Sequence, residues 1–234
     1  MADRPPSVEA LVLAAGRGER LGLGPKAMLV LGGRTLLERA IQVMQSVAER
    51  VIVGVPEEYV EELSAGRGEG VLVMAGGKTR METLLHLFEA STAPLLVQHD
   101  IVHPFVTPRL ARDVVAAAAR TGAAMAAVPA AAHVYRGEAR LAERIVTADA
   151  LWLARKPLAF ARHALARALD RGLPPSVDAG TVELLLSAQQ PVDIVPVEPW
   201  NLKITTRGDW KLAQALEASM PTLPSDEVDD GCPR

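Results

Sequence analysis

The sequence predicts an α/β fold, an open and mostly parallel Rossmann-like sheet with helices on both faces. Three observations predict it. Short, β-branched apolar runs alternate along the chain with segments whose apolar residues recur at helical spacing, the rhythm of successive strand–helix–strand units. The first of these runs passes directly into a glycine-rich turn, as a buried parallel strand does. A chain of 234 residues, 49% hydrophobic, is long enough to bury one such core.

Taken in order, Val8 to Ala14 reads as the first strand, and Arg34 to Ala48 as a helix with Leu36, Leu37, Ala40, Ile41, Met44 and Val47 on one face. Val51 to Val55 is a strand, Tyr59 to Ser64 a short helix, Val71 to Met74 a strand and Thr79 to Glu89 a helix. Pro94 to His99 is a buried strand ending in Asp100. Pro108 to Thr121 is an alanine-rich helix opened by proline, and Ala123 to Pro129 a further strand. The rhythm then breaks. His133 to Lys156 reads as two strands around a turn at Arg136 to Arg140, a protruding β-arm. Helical spacing resumes at Leu158 to Arg171 and Ser176 to Ala188, followed by a strand at Val192 to Val197 and a helix at Thr206 to Ala218. Residues 1–218 therefore form one domain carrying an arm at about 133–156, and 219–234, rich in Pro, Asp and Gly, form a tail.

Composition narrows the function. The net charge is −3 and no basic stripe is present, which argues against nucleic acid as a partner. The single cysteine, Cys232, excludes a disulfide within the chain and fits a reducing, cytoplasmic compartment. The opening MADRPPS has no apolar h-region, and the apolar stretches are too short to span a bilayer, so no membrane is expected.

The segment Leu13 to Leu29, LAAGRGERLGLGPKAML, carries the chemistry. Small residues at Ala14, Ala15, Gly16 and Gly18 let backbone N–H groups approach phosphate oxygens, and Arg20 and Lys26 add fixed cations in the same loop. That combination suits the charge that gathers on a triphosphate under attack. It is not a Walker A loop, because Lys26 follows Pro25 and precedes Ala27. Nor is it the dinucleotide fingerprint, because Gly16, Gly18 and Gly22 are one residue too widely spaced. Asp100 closes an apolar strand, where open sheets place ligands, and a single carboxylate can serve a magnesium–phosphate complex. His99 and His103 flank it without the further ligands that zinc requires. Lys203, between Leu202 and Ile204, snorkels or faces an anion. Arg80, early in its helix, is placed to fix the loop around Gly77 by ion pairing.

The glycine-rich segment resembles the signature of the cytidylyltransferases that act on 2-C-methyl-D-erythritol 4-phosphate in non-mevalonate isoprenoid synthesis. Four further segments match in order: GGKTRMETL (Gly76 to Leu84), VQHDIVHPFV (Val97 to Val106), VDAG (Val177 to Gly180) and NLKITT (Asn201 to Thr206). The resemblance covers about Val8 to Leu216. It implies CTP and a phosphorylated polyol as partners, Mg²⁺ as cofactor and a homodimer joined through the arm. It implies that Ala14, Ala15, Gly16, Gly18, Gly77, Lys78, Arg80 and Thr83 bind nucleotide, with Gly77 and Thr83 selecting cytosine. By the same resemblance Asp100 serves the metal, and Arg20, Lys26 and Lys203 are catalytic.

The departures from the family pattern fall on the acceptor side. His103 stands where the family has Arg, Ala132-His133 where it has Asp-Thr, Ala148 where it has Arg, and Lys156-Pro157-Leu158 where it has Thr-Pro-Gln. The acceptor contacts are accordingly expected from His103, Arg144, Arg155 or Lys156, the last three from a partner's arm. If His103 makes the contact, acceptor affinity should weaken as pH rises through the histidine range. The same chemistry on another sugar-alcohol phosphate, such as ribitol 5-phosphate, and a non-catalytic nucleotide-binding protein are the alternatives.

Overall fold

The computed structural model describes residues 6–19, 21–131, 134–137, 141–146, 151–172 and 180–220, with backbone alone described for 134–137 and 141–146. Eleven strands and seven α-helices follow one another along these residues. They are β1 (Val8–Leu13), β2 (Val30–Leu31), β3 (Arg34–Thr35), α1 (Leu36–Gln45), β4 (Arg50–Val55), α2 (Val60–Ser64), β5 (Val71–Ala75), α3 (Arg80–Ala90) and β6 (Leu95–Asp100). Then come α4 (Pro108–Thr121), β7 (Ala123–Pro129), β8 (Val134–Gly137), β9 (Leu141–Val146), β10 (Trp152–Ala161), α5 (Arg162–Asp170), α6 (Thr181–Ser187), β11 (Asp193–Pro196) and α7 (Arg207–Ser219).

Seven strands form the central sheet in the order β11-β7-β10-β6-β1-β4-β5. All neighbours run parallel except β10, which is antiparallel to both β6 and β7. The central strands β1 and β6 are buried on both faces, and the period of two sorts their side chains. On β1, Val8, Ala10 and Val12 join a core with α1 and α4, whereas Leu11 and Leu13 join a second core with α3, α5 and α6. Each fully buried Leu or Val there contributes roughly 1.5–3 kcal/mol of transfer free energy. Helix starts follow local chemistry: Thr35, Thr79 and Thr206 each form a capping box with the acid three residues on.

The structure corrects the boundaries in three places. Leu158 to Ala161, expected to be helical, is the end of β10, and the helix begins at Arg162. Leu158, Ala159 and Phe160 are all buried, so the run shows no alternation to separate it from the helix that follows. β8 and β9 do form an antiparallel pair, but Trp152 to Lys156 lie on β10 of the central sheet, so the two strands of the arm are Val134–Gly137 and Leu141–Val146. The short β2–β3 hairpin was not anticipated, and Arg34 and Thr35 lie in it ahead of α1. The helix expected from Ser176 is seen from Thr181; residues 173–179 and 221–234 lie outside the described residues.

One close approach sets the position of α3. A Cβ placed on Gly54 of β4 would lie 2.8 Å from Thr83 Cγ2 and 3.3 Å from Leu87 Cδ2. Gly54→Val should therefore push α3 off the sheet, destabilising the fold by about 1–3 kcal/mol in urea unfolding. A change below 0.5 kcal/mol would show that the helix yields freely.

Candidate active site

Strand register builds the site. Leu13 of β1 stands beside Gly54 of β4 on one side and Asp100 of β6 on the other. The C-terminal ends of three parallel strands thus lie level, the place where an open α/β sheet binds ligands. From this edge rise the glycine loop after β1, Pro56 to Glu58 after β4, and Gly76-Gly77 after β5. Between them lies a cleft of about 600 Å³, bordered by Gly16, Gly18, Lys26, Glu58, Gly77 and Lys78. A second cavity of about 240 Å³ adjoins it, with Lys26, Arg80, Thr83, Asp100 and Lys203 in its wall.

The glycine loop is held by its own backbone. The Gly18 carbonyl accepts from the N–H groups of Leu21 and Gly22, each at 2.9 Å. Gly18 is buried with φ +74°, and a Cβ there would strike the Gly24 carbonyl, so the position requires glycine. Ala15 and Gly16 line both cavities, whereas Ala14 is buried behind them and donates its N–H to the Gly54 carbonyl at 2.8 Å. Ala14 therefore supports the loop from beneath and lines neither cavity. Lys26 donates from Nζ to the Ile204 carbonyl at 3.1 Å, and Arg207 from Nε to the Leu21 carbonyl at 3.1 Å. These contacts bring the segment bearing Lys203 to the loop. Arg20 lies outside the described residues.

The second loop is fixed from α3. Thr83 Oγ1 accepts from the Gly77 N–H at 3.0 Å and donates to the Thr79 carbonyl at 3.0 Å. The Glu82 carboxylate accepts from the N–H groups of Lys78 at 2.7 Å and Thr79 at 3.2 Å. The Thr83 hydroxyl is thus engaged in shaping the loop, and the residue also lines the second cavity. Gly76 abuts the glycine loop, since a Cβ on it would lie 2.6 Å from Ala15 Cβ. Arg80 departs from expectation. It ion-pairs with Asp100 on β6, at 2.9 Å and 3.3 Å, not within the Gly77 loop.

Asp100 is the electrostatic centre. Burial alone would raise its pKa, but the ammonium of Lys156 and the guanidinium of Arg80 reverse this and hold it far below the usual carboxylate range. Lys156 is itself buried, 3.9 Å from Asp100 Oδ1. Burial brings its pKa down to about 8, against the pull of Asp100. Its carbonyl accepts from Asn201 Nδ2 at 2.8 Å. Lys156 therefore sits in the sheet behind Asp100 and not on the arm, contrary to the sequence reading. Arg155, half-buried on the same strand, lines neither cavity, and its Nη1 donates to the Ala154 carbonyl at 3.2 Å. Of Arg144 only the backbone, on β9, is described, and Ala132-His133 and Ala148 lie outside the described residues. Among the described residues no group of three or more His, Cys, Asp or Glu could hold a metal. Asp100 fits a metal only as one ionised ligand to an ion that brings further oxygens with it.

Sequence reasoning missed Gln98 and Thr181. Both are buried and joined to each other at 2.6 Å. The signal was a glutamine inside the apolar run PLLVQHD. A buried amide needs partners, and these lie beside Asp100.

The family model described as 2-C-methyl-D-erythritol 4-phosphate cytidylyltransferase matches residues 8–218. The chain belongs to this cytidylyltransferase family. A relative of that name from Thermus thermophilus is 38% identical over 213 residues, covering 89% of this chain and 96% of its own length. One from Deinococcus radiodurans is 37% identical over 215 residues, 90% of each chain. The crystal structure of the Thermus thermophilus cytidylyltransferase superposes with a TM-score of 0.73 at 32% identity, over 92% of this chain and all of that one. At 19% identity and a TM-score of 0.79, a synthase structure from Anaerococcus prevotii shares the fold. The family match spans both loops, Asp100 and Lys203, so the cleft built from strand ends is family ground.

His103, where the family resemblance has Arg, is 3% exposed and lines neither cavity. Burial drives its pKa down to about 3, Asp100 opposing. The imidazole is therefore neutral through the whole histidine range, and the expected weakening of acceptor affinity across that range does not arise from it. A different pH effect follows. The unfolded chain protonates this residue near pH 6.5 and the folded chain does not, so stability present above that pH is lost as pH falls towards 3. Between pH 7 and pH 4.5 this imidazole should cost on the order of 2 kcal/mol. Urea unfolding of His103→Gln should show a shallower fall over that range than the parent chain, and equal slopes would refute the assignment.

Proposed function

We propose that this chain is a CTP-dependent cytidylyltransferase that transfers CMP to 2-C-methyl-D-erythritol 4-phosphate and releases pyrophosphate. The observation that carries the reading is the cleft at the level strand ends, where the glycine loop, Lys26 and Lys203 surround Asp100 in a chain of this family. Among the described residues no side chain there is arranged as a nucleophile with its base, and none is required. A phosphate oxygen of the acceptor attacks the α-phosphorus in line while the bond to the pyrophosphate oxygen breaks. The work left to the protein is positioning and neutralisation of charge. The loop from Ala15 to Gly18 presents backbone to the triphosphate. Lys26, tethered to Ile204, places its ammonium where the α-phosphate gathers charge, and Lys203 draws the acceptor phosphate towards it. Arg20 adds a further cation from the same loop.

Asp100 would hold Mg²⁺ delivered with CTP, the ion supplying neutralisation of the triphosphate oxygens. Among the described residues no helix is long and apolar enough to cross a membrane, which is compatible with work in the cytoplasm. A homodimer through β8 and β9 is supported by physics: a two-stranded hairpin is marginal alone and gains from a partner surface. A second acceptor, another sugar-alcohol phosphate such as ribitol 5-phosphate, is favoured by one observation: His103 is buried and neutral where the family pattern has a permanently charged Arg.

Pyrophosphate release measured with each nucleoside triphosphate and each acceptor tests the reading. CTP with 2-C-methyl-D-erythritol 4-phosphate should give the highest kcat/KM, and equal use of all four triphosphates would contradict it. Lys26→Ala should lower kcat by about 10²-fold; retention of kcat within threefold would remove Lys26 from the mechanism. Light scattering at micromolar concentration should return twice the chain mass, falling to one chain mass when the β8–β9 hairpin is deleted.

A further inference from the structure

Asp100 is gripped by two cations of different character. Arg80 reaches it from the rim of the cavity, and its side chain is 47% exposed. Lys156 reaches it from within the sheet, and its side chain is 9% exposed. The amide of Gln98 orders the pair. With its NH₂ donating to Thr181 Oγ1 at 2.6 Å, its oxygen accepts from Arg80 Nη2 at 3.1 Å and from Lys156 Nζ at 3.2 Å. The opposite orientation would turn an NH₂ group towards two cations. Lys156 is also fixed through its backbone, by Asn201. Arg80 can swing into solvent when another ligand approaches Asp100, whereas Lys156 has no exposed position to retreat to.

We infer that Lys156 is a positioning residue acting through Asp100: its ammonium and a divalent cation compete for the same carboxylate, so Lys156 sets how tightly the site takes up metal. This rests on the reading that Asp100 serves Mg²⁺. The physical reason is proximity. A fixed positive charge 3.9 Å from Asp100 Oδ1, shielded from water, repels a second cation placed on that carboxylate. A free cation must overcome that repulsion, and a cation carried by an anionic triphosphate does so most readily. The same ammonium keeps Asp100 ionised and its oxygens directed at the cavity.

The test uses Mn²⁺ alone, titrated into the full chain without nucleotide and followed by the electron paramagnetic resonance of the free ion. Lys156→Met and Lys156→Gln should each bind Mn²⁺ about tenfold more tightly than the parent chain. Lys156→Arg, which keeps the charge, should match the parent within twofold. Adding Asp100→Asn to Lys156→Gln should abolish the gain. Binding by the Met and Gln variants within twofold of the parent, or a gain that survives Asp100→Asn, would overturn the inference. Should Lys156→Met fail to fold, Lys156→Gln carries the comparison alone. Failure of the parent chain to release pyrophosphate from CTP would instead sink the proposed activity, and the Mn²⁺ result would stand apart from it.

Discussion

Everything in the cleft depends on the parallel pairing of β1 with both of its neighbours. That pairing brings Leu13, Gly54 and Asp100 to one level, and each strand then releases its loop at the same edge. A slip of one residue in either pair would exchange the two faces of a strand and exchange its membership of the two cores. Because Val8, Ala10 and Val12 pack on one side and Leu11 and Leu13 on the other, such a slip is costly. The site inherits its geometry from this packing constraint. The glycines and Thr83 refine it locally, by letting the two loops touch and by tying Gly77 to α3.

Charge placement follows the same logic. The strand ends present Asp100 to a cavity with cations around it, and burial strengthens every interaction there. Asp100 stays ionised because Lys156 and Arg80 outweigh the cost of burying it. Neutral His99 and His103 fill the space behind. Burial drives the His99 pKa down to about 4, against Asp100 and alongside Lys156, and holds His103 uncharged in the same way. Behind the second cavity, Asp100 is thus backed by the buried Lys156 and two neutral imidazoles, and Arg80 meets it from the more exposed side.

Much of this was legible in the sequence where the pattern is local. The helix from Pro108 to Thr121 and the strand from Ala123 to Pro129 are bounded by their own proline and glycine signals, and the structure places them at the same residues. The glycine loop was readable because only small residues permit its backbone. Leu158 to Ala161 was not readable as strand, because a segment buried on both faces has no period to distinguish it from a buried helix. The environment of Lys156 and His103 was not readable either. Lys156 is held by the long-range pairing of its strand β10 with β6 and by contact with Asn201, and no local pattern encodes either one. The pairing of Arg80 with Asp100, 20 residues apart in sequence, is likewise a product of the assembled sheet.

The tether between the glycine loop and the end of the chain has a consequence for the order of events during synthesis. Lys26 bonds to Ile204 across 178 residues, and Arg207 to Leu21 across 186. Closing such long loops costs entropy that only the finished core repays. The strand β1 and its glycines leave the ribosome well before the residues that hold them. A nascent chain can assemble β1, β4 and β6 and still lack a finished cleft. Completion of the cleft therefore waits for the segment around Lys203 to dock on the glycine loop, long after that loop has been made.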